Sequence, residues 1–378
     1  MDSKKYNNIK LAVGITETII SFVLILLFLY FGYSKRLTNY LYTLNQSDYL
    51  VLVLFTLITG FALSIVLFPL NFYSSYILEH KYKLSNQTLV KYFTESIKSI
   101  LVSGAIGIPI LLLFYFTLKQ FGDNWWLIFS SAMFFISVIL SQIFPIIIFP
   151  IFYKVKPVED EELKERIRTL AQSAGLKVQN VYSFDMSKNT KKANAAFTGL
   201  GKTKRIILGD TLLSSYTKDE IETVIAHELG HYKKKHILKN IIYGTINSFA
   251  LFFIISIIYK GSLSWFGFSS ITDIAALPLL TLWAMLVGLI QTPIGNILSR
   301  KFEYEADEYA IEVTKKPFSF IQTLNKLTEQ NLGDKEPHPF VEWYFYSHPS
   351  VKKRISAIEN YARQKQIIET NQLQEQMN

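Results

Sequence analysis

The residues best suited to chemistry lie in one run, "TVIAHELGHYKKKHILKNIIYG", residues 223–244. His227 and His231 are four apart, so on a helix they share a face. Two imidazoles placed that way can close on one zinc ion. Glu228, beside the first histidine, can act as general base toward a water at that metal. The chemistry implied is metal-assisted hydrolysis. Catalytic zinc takes three protein ligands and keeps one position open. The chain has six histidines, at 80, 227, 231, 236, 338 and 348. His236 follows His231 by five residues, which turns it off the ligand face and makes it a helix cap or an interface residue. A better third ligand lies in "SRKFEYEADEYA", residues 299–310. There Glu303 and Asp307 share a helix face. Glu303 can bind the metal while Asp307 accepts a hydrogen bond from a ligating histidine. The plain alternatives are two surface histidines with a chance acid, and an ordinary acidic helix start.

The elements that must position these residues are membrane helices. Half of the 378 residues are hydrophobic, and they are concentrated in residues 18–34, 49–78, 99–118, 125–153, 240–259 and 274–299. A spanning helix needs about 20 mostly apolar residues. Five runs meet that length, and the first does so if Glu17 is included. The runs are apolar all round, unlike core helices of soluble proteins. Six spans follow, with a seventh possible. The two longest runs extend past the bilayer or break at Pro69, Pro145 and Pro150. The first run is too long for a removable signal peptide and precedes no small-residue cleavage site. Cysteine is absent, which excludes disulfide and thiolate chemistry. Lysine and arginine crowd one side of a six-span topology, so the termini and the polar segments are expected in the cytosol. The net charge of +9 reflects that asymmetry and suits anionic lipid headgroups. It calls for no nucleic-acid partner.

Four segments follow: N-terminal transmembrane helices (1–153), a polar α+β insert ending in the metal helix (154–237), two further spans (238–299), and a helical tail carrying Glu303 (300–378). The insert opens with "EDEELKERIRTLAQSAGL", a helix that stops at Gly175. The strand-like runs "VQNVYSF" and "KRIILGDTLL" flank "NAAFTGLGKTK", which has the composition of a hairpin turn. Thr217 and Glu220 form a capping box. It opens a helix expected to carry the histidine pair straight into the fifth span. Spans five and six, as an antiparallel hairpin, return Glu303 to the membrane face where His231 sits.

Taken together, "VIAHELGHYKKKHILKNII", "SRKFEYEAD", "NAAFTGLGKTKRIILGDTLL" and "SHPSVKKRI" resemble the integral-membrane CaaX prenyl protease family, type I. The resemblance covers most of the chain from about residue 80 and keeps the family's motif order. It implies a mostly α fold: a polytopic membrane helical barrel around a large aqueous chamber, with a small α+β insert on the cytosolic side. It implies one zinc per chain held by His227, His231 and Glu303, with Glu228 as base and Asp307 supporting a ligand. Asn194 and Ala195 match the edge strand where a peptide adds by backbone pairing. His348 and Arg354 match the pair that steadies the oxyanion. By itself "HPSVKKR" reads equally well as a helix start with solvated cations. Relatives usually have seven spans where six are counted here, and the insert lacks a long acidic excursion found in some of them.

The expected function is that of a membrane-embedded zinc metalloendopeptidase. It would cut near the C-terminus of prenylated, CaaX-type or other membrane-delivered peptides. The expected form is a monomer in the endoplasmic reticulum membrane of a eukaryote or the inner membrane of a bacterium. One rival is a heat-shock-type quality-control metalloprotease without prenyl dependence. The flanking motifs, and six spans rather than about four, argue against it. A receptor or scaffold with a degenerate site has no use for Glu228. A transporter could use Glu17, Gln142, Asn247, Gln291 and Asn296, but these suit a wet chamber equally well.

Overall fold

The structure, a computed structural model, describes residues 2–176, 181–198 and 205–367. α1 (Ser3–Tyr30) turns into the short α2 (Tyr33–Leu44) at Gly32, whose φ of 69° favours glycine. α3 (Asp48–Phe72) continues through a π-helical turn, Tyr73–Ile77, into α4 (Leu78–Lys81). After α5 (Leu89–Phe121), α6 (Trp125–Ile143) continues through a second π turn, Phe144–Ile148, into α7 (Phe149–Phe152). Pro69 precedes the first π turn and Pro145 lies in the second. Neither proline breaks its helix, and Pro145 sits inside the widened turn.

Among the described residues, five stretches are long and apolar enough to cross a membrane: Ser3–Tyr30, Asp48–Lys81, Leu89–Phe152, His236–Phe266 and Ile274–Thr314. The third has 64 residues. As one straight helix it would measure about 96 Å, roughly three times the hydrocarbon thickness. It folds back at Gly122–Asn124 instead, where Gly122 leaves helical geometry (φ 51°, ψ −124°). Phe114 then lies against both Trp125 and Phe129, with ring centroids 5.3 Å apart. This stretch is a hairpin that supplies two crossings, which gives the six expected from the apolar runs.

The bundle closes through α11 (His236–Ser262) and α12 (Leu277–Thr314). Phe252 of α11 packs on Trp125 and Phe129 of α6. The helices enclose an apolar cavity of 710 Å³, walled by Phe28, Phe55, Leu63, Phe114 and Thr281 among others. Thr281 and Glu303 are both on α12, about 33 Å apart along its axis. The cavity thus belongs to the end of the bundle remote from Glu303.

The insert holds β1 (Val155–Pro157), α8 (Glu161–Ser173), β2 (Val181–Phe184), β3 (Ala195–Thr198), β4 (Arg205–Gly209), α9 (Asp210–Ser215) and α10 (Lys218–Lys233). Its sheet has the order β1-β2-β4-β3, with β2 and β4 parallel and the other pairs antiparallel. Ala195–Thr198 is thus a strand in its own right, and residues 199–204, the rest of the expected hairpin turn, lie outside the described residues. α13 (Pro317–Gln330), α14 (Pro339–Phe345) and α15 (Val351–Gln364) complete the chain. Ile167, Ile206, Leu208, Leu212, Ile225, Ala310 and Phe320 share one core. Each large apolar side chain buried there contributes about 1.5–3 kcal/mol. Residues from 154–237 and from 300–367 therefore pack as one polar-surfaced body, interrupted in sequence by a membrane hairpin.

One expectation is corrected. The capping box does open α10, with Thr217 and Glu220 bonded reciprocally. The helix does not run on into the fifth span, however. It ends at Lys233, Lys235 adopts φ 58°, and α11 begins at His236. The break lets α10 lie along α12 while α11 turns into the bundle. α12 is unbroken from Leu277 to Thr314, so the sixth span and the segment carrying Glu303 are one helix.

Candidate active site

α10 and α12 meet at Gly230. A Cβ there would lie 2.9 Å from both the Cα and the carbonyl oxygen of Ala306. That close approach sets two imidazoles opposite one carboxylate. His227 Nε2 is 3.2 Å from His231 Nε2 and 3.4 Å from Glu303 Oε2, and His231 Nε2 is 3.4 Å from Glu303 Oε1. Bonds of about 2.0–2.1 Å directed tetrahedrally from one ion put neighbouring donor atoms about 3.4 Å apart. The observed triangle has that size. Glu303 Oε2 is buried and, among the described residues, accepts no hydrogen bond. These donors fit a tetrahedral metal ion.

Asp307 supports the first histidine. Its Oδ1 faces His227 Nδ1 at 2.8 Å, which leaves Nε2 turned to the centre. Asp307 also accepts both arms of the Arg354 fork, Nη2 to Oδ1 at 2.5 Å and Nε to Oδ2 at 2.8 Å. The remaining Nη1 lies 3.6 Å from Glu303 Oε2. Burial disfavours the charge on His227, but the carboxylates of Asp307 and Glu303 outweigh it and push the imidazole pKa up to about 9. Burial likewise opposes the charge of Arg354, and Asp307 again prevails, so the guanidinium is held protonated. The centre favours positive charge at the point the ligands surround.

His231 has a support that sequence spacing hides. His236 Nδ1 lies 2.9 Å from His231 Nδ1, and His236 Nε2 lies 2.9 Å from Glu305 Oε2. The His236 ring is buried and stacks on Phe302 at 4.2 Å. On a straight helix a five-residue step points away from the ligand face. The left-handed Lys235 restores the approach. The available signal was the break-prone "YKKKH" and a second glutamate two residues after Glu303.

The other expected residues cluster less tightly. Glu228 is half-buried beside His227 on α10. His348 is exposed at the rim, with Nε2 3.4 Å from Glu303 Oε1 and Nδ1 2.9 Å from Ser347 Oγ. Asn194 is exposed just before β3, and its carbonyl accepts from Gly209 N–H at 2.9 Å. Ala195 opens β3, an edge strand that packs on α10.

A protein-family model described as peptidase family M48 matches residues 157–362, which hold every one of these groups. The chain belongs to peptidase family M48. A second model, the CAAX prenyl protease N-terminal region with five membrane helices, matches residues 1–154. There this M48 protease has the long α1, α3, α5 and α6 and the shorter α2. The chain is 33% identical to CAAX prenyl protease 1 of Saccharomyces cerevisiae, covering 79% of this chain and 69% of that one. It is 30% identical to an uncharacterized metalloprotease of Bacillus subtilis, covering 94% and 84%. The crystal structure of Ste24p from S. mikatae superposes with a TM-score of 0.84 at 30% identity, covering 94% of this chain and 88% of the other. This is therefore a metal-dependent protease integral to a membrane, with the helical-barrel architecture.

Proposed function

We propose that this protease is a zinc endopeptidase that cuts near the C-terminus of prenylated, CaaX-type peptides or other membrane-delivered peptides. The carrying observation is the donor triangle of His227, His231 and Glu303, tetrahedral in size, beside Glu228. The similarity to CAAX prenyl protease 1 supports the substrate class. In this reading the peptide adds to the β3 edge at Asn194 and Ala195. His227, His231 and Glu303 hold the ion, Asp307 orients the first imidazole, and the His236–Glu305 pair orients the second. The chemistry that zinc supplies when bound is Lewis acidity, which polarises the scissile carbonyl and acidifies water. Glu228 takes the proton of the attacking water and returns it to the leaving amine. His348, exposed at the rim, is placed to donate to the developing oxyanion. Arg354, with its fork held by Asp307, contributes positive charge from behind.

The test offers the purified, zinc-loaded protein matched prenylated and unprenylated C-terminal peptides and maps the cut bond by mass. Preferred cleavage of the prenylated peptide is expected. Equal rates on both would remove the prenyl requirement, and no cleavage of either would overturn the reading. We further place the site on the cytosolic side of a monomer, as the lysine and arginine distribution favours. The chain has no cysteine, so single cysteines at the exposed Ser47 and Ser187 report orientation without background. An impermeant thiol reagent on the non-cytosolic face should label only Ser47→Cys. Labelling of Ser187→Cys from that face would invert the model.

A further inference from the structure

Among the described residues, the outer edge of β3 is without a partner along only part of its length. In an antiparallel pair, residues alternate between directing both backbone groups at the partner strand and directing both away. Asn194 pairs with Gly209, and Gly209 N–H donates to the Asn194 carbonyl. The strand therefore turns Asn194 and Ala196 toward β4, and Ala193, Ala195 and Phe197 outward. Among the described residues, no group is bonded to the outward amide or carbonyl of Ala195. Ala193 differs. Its N–H donates to Asn331 Oδ1 at 2.9 Å, and its carbonyl accepts from Asn331 Nδ2 at 3.1 Å. One carboxamide thus satisfies both outward groups, as a residue of an added strand would. Upstream the edge stays covered: Gln330 Nε2 donates to the Lys191 carbonyl, and Lys191 N–H donates to the Leu84 carbonyl.

Asn331 is held firmly enough to act as a fixed end. It is the C-cap of α13, its N–H donates to the Leu327 carbonyl, and Leu332 follows with φ 52°. The Leu332 carbonyl is tied in turn to Asn7 of α1 by a 2.7 Å hydrogen bond. The first membrane helix therefore helps fix the end of the edge.

We propose that Asn331 is a register stop that limits how many residues of a substrate can lie beyond the scissile bond. The proposal rests on reading β3 as the substrate strand. An antiparallel peptide on β3 points its C-terminus toward Ala193. It can pair at Phe197 and Ala195, and the next pairing position, two residues on, is already filled. A protease built this way accepts a short C-terminal overhang and resists longer ones. That suits cleavage close to a chain end, and it assigns a length preference to a side chain outside the metal centre.

The experiment uses the full-length, zinc-loaded protein and a peptide series that differs only in the number of residues beyond the cut bond. For the native protein, kcat/KM should fall sharply past a limiting length. Asn331→Ala frees the Ala193 groups, and the limit should move out by two residues, the strand period. A peptide two residues over the native limit should gain roughly tenfold, the worth of one or two hydrogen bonds. Asn331→Ser replaces the alanine variant if that one fails to fold, with the same shift expected. Ala195→Pro removes an outward N–H without touching the β3–β4 ladder, and should slow cleavage at every length. If Ala195→Pro slows all peptides but Asn331→Ala and Asn331→Ser leave the limit unmoved, the stop is refuted and the substrate strand stands. If Ala195→Pro changes nothing, the substrate-strand reading itself falls, and the stop with it.

Discussion

Replacing Asp307 should cost more than a supporting residue normally does, because Asp307 serves two partners. It is 2% exposed and accepts from His227 on one side and from the Arg354 fork on the other. Asp307→Asn keeps the shape, but it removes the charge and turns one acceptor oxygen into a donor. For the metal, losing such support costs about 10–100-fold in affinity. For the fold, Arg354 becomes a buried cation that has lost its hydrogen-bonded carboxylate, with Glu303 Oε2 3.6 Å away. Breaking a buried pair from one side costs about 3–5 kcal/mol, most of it the penalty of the charge left behind. Unfolding followed by tryptophan fluorescence, with zinc chelated throughout so that metal linkage does not contribute, should show that loss. Adding Arg354→Met removes the stranded cation. The double variant should recover most of the stability while its zinc affinity, measured against a competing chelator, stays low. A double variant no more stable than Asp307→Asn would refute the reasoning. Zinc affinity that recovered with the stability would mean that Asp307 acts on the metal only through Arg354.

Glu228→Gln should keep zinc and lose about 10²–10⁴-fold in turnover, the usual cost of a missing general base; near-normal turnover with metal bound would remove Glu228 from that role. Glu303→Ala should empty the site of zinc under mild purification. His236→Ala keeps all three ligands and should weaken zinc by only about 10–100-fold, and an affinity equal to the native value would show that His236 does not hold His231. Gly230→Ala puts a methyl 2.9 Å from the Ala306 backbone, so α10 must move off α12 at about 1–3 kcal/mol; native stability together with native zinc content would show that the two helices do not need this close contact.

What could be read from the sequence follows from which interactions are local. The crossings were legible because a bilayer demands apolarity on every helix face, and that survives any packing arrangement. The shared face of His227 and His231 was legible because i, i+4 pairs are set by helix geometry alone, and the approach of Glu303 to them because spans five and six had to form a hairpin. The break between α10 and α11 was not, since Lys235 takes a positive φ with no glycine to mark it. His236 does sit at a helix start and an interface, as expected, but its contact with His231 was missed for that reason: the five-residue step was judged on a helix that in fact ends between them. Composition assigned residues 194–204 to a turn, yet Ala195–Thr198 pairs with β4, because alanines can serve an edge strand that buries only part of its surface on α10. Arg354 comes from α15, 47 residues after Asp307. No spacing rule connects them, and only the family resemblance drew attention to it.

A metal centre can sit at the mouth of a membrane helix only if its charges are balanced and water reaches it. Glu228, Glu303 and Asp307 carry three negative charges against one positive on Arg354, which leaves two negative charges for a divalent cation to offset. Such a centre is close to neutral with its ion in place, and a neutral cluster is tolerable at the membrane boundary where an isolated charge is not. The 710 Å³ cavity is lined almost wholly by apolar side chains, and Thr281 in its wall lies about 33 Å along α12 from Glu303. The centre itself is open on the side where His231 is part-exposed and His348 stands at the rim. α12 reconciles the two environments. Its N-terminal half lines the apolar cavity, and its C-terminal turns carry Glu303, Glu305 and Asp307 into the polar body. Because the helix is unbroken, any shift of the membrane bundle that tilts it also moves Glu303 relative to His227 and His231. The close contact at Gly230 and the fork of Arg354 on Asp307 oppose that shift, one through packing and the other through charge.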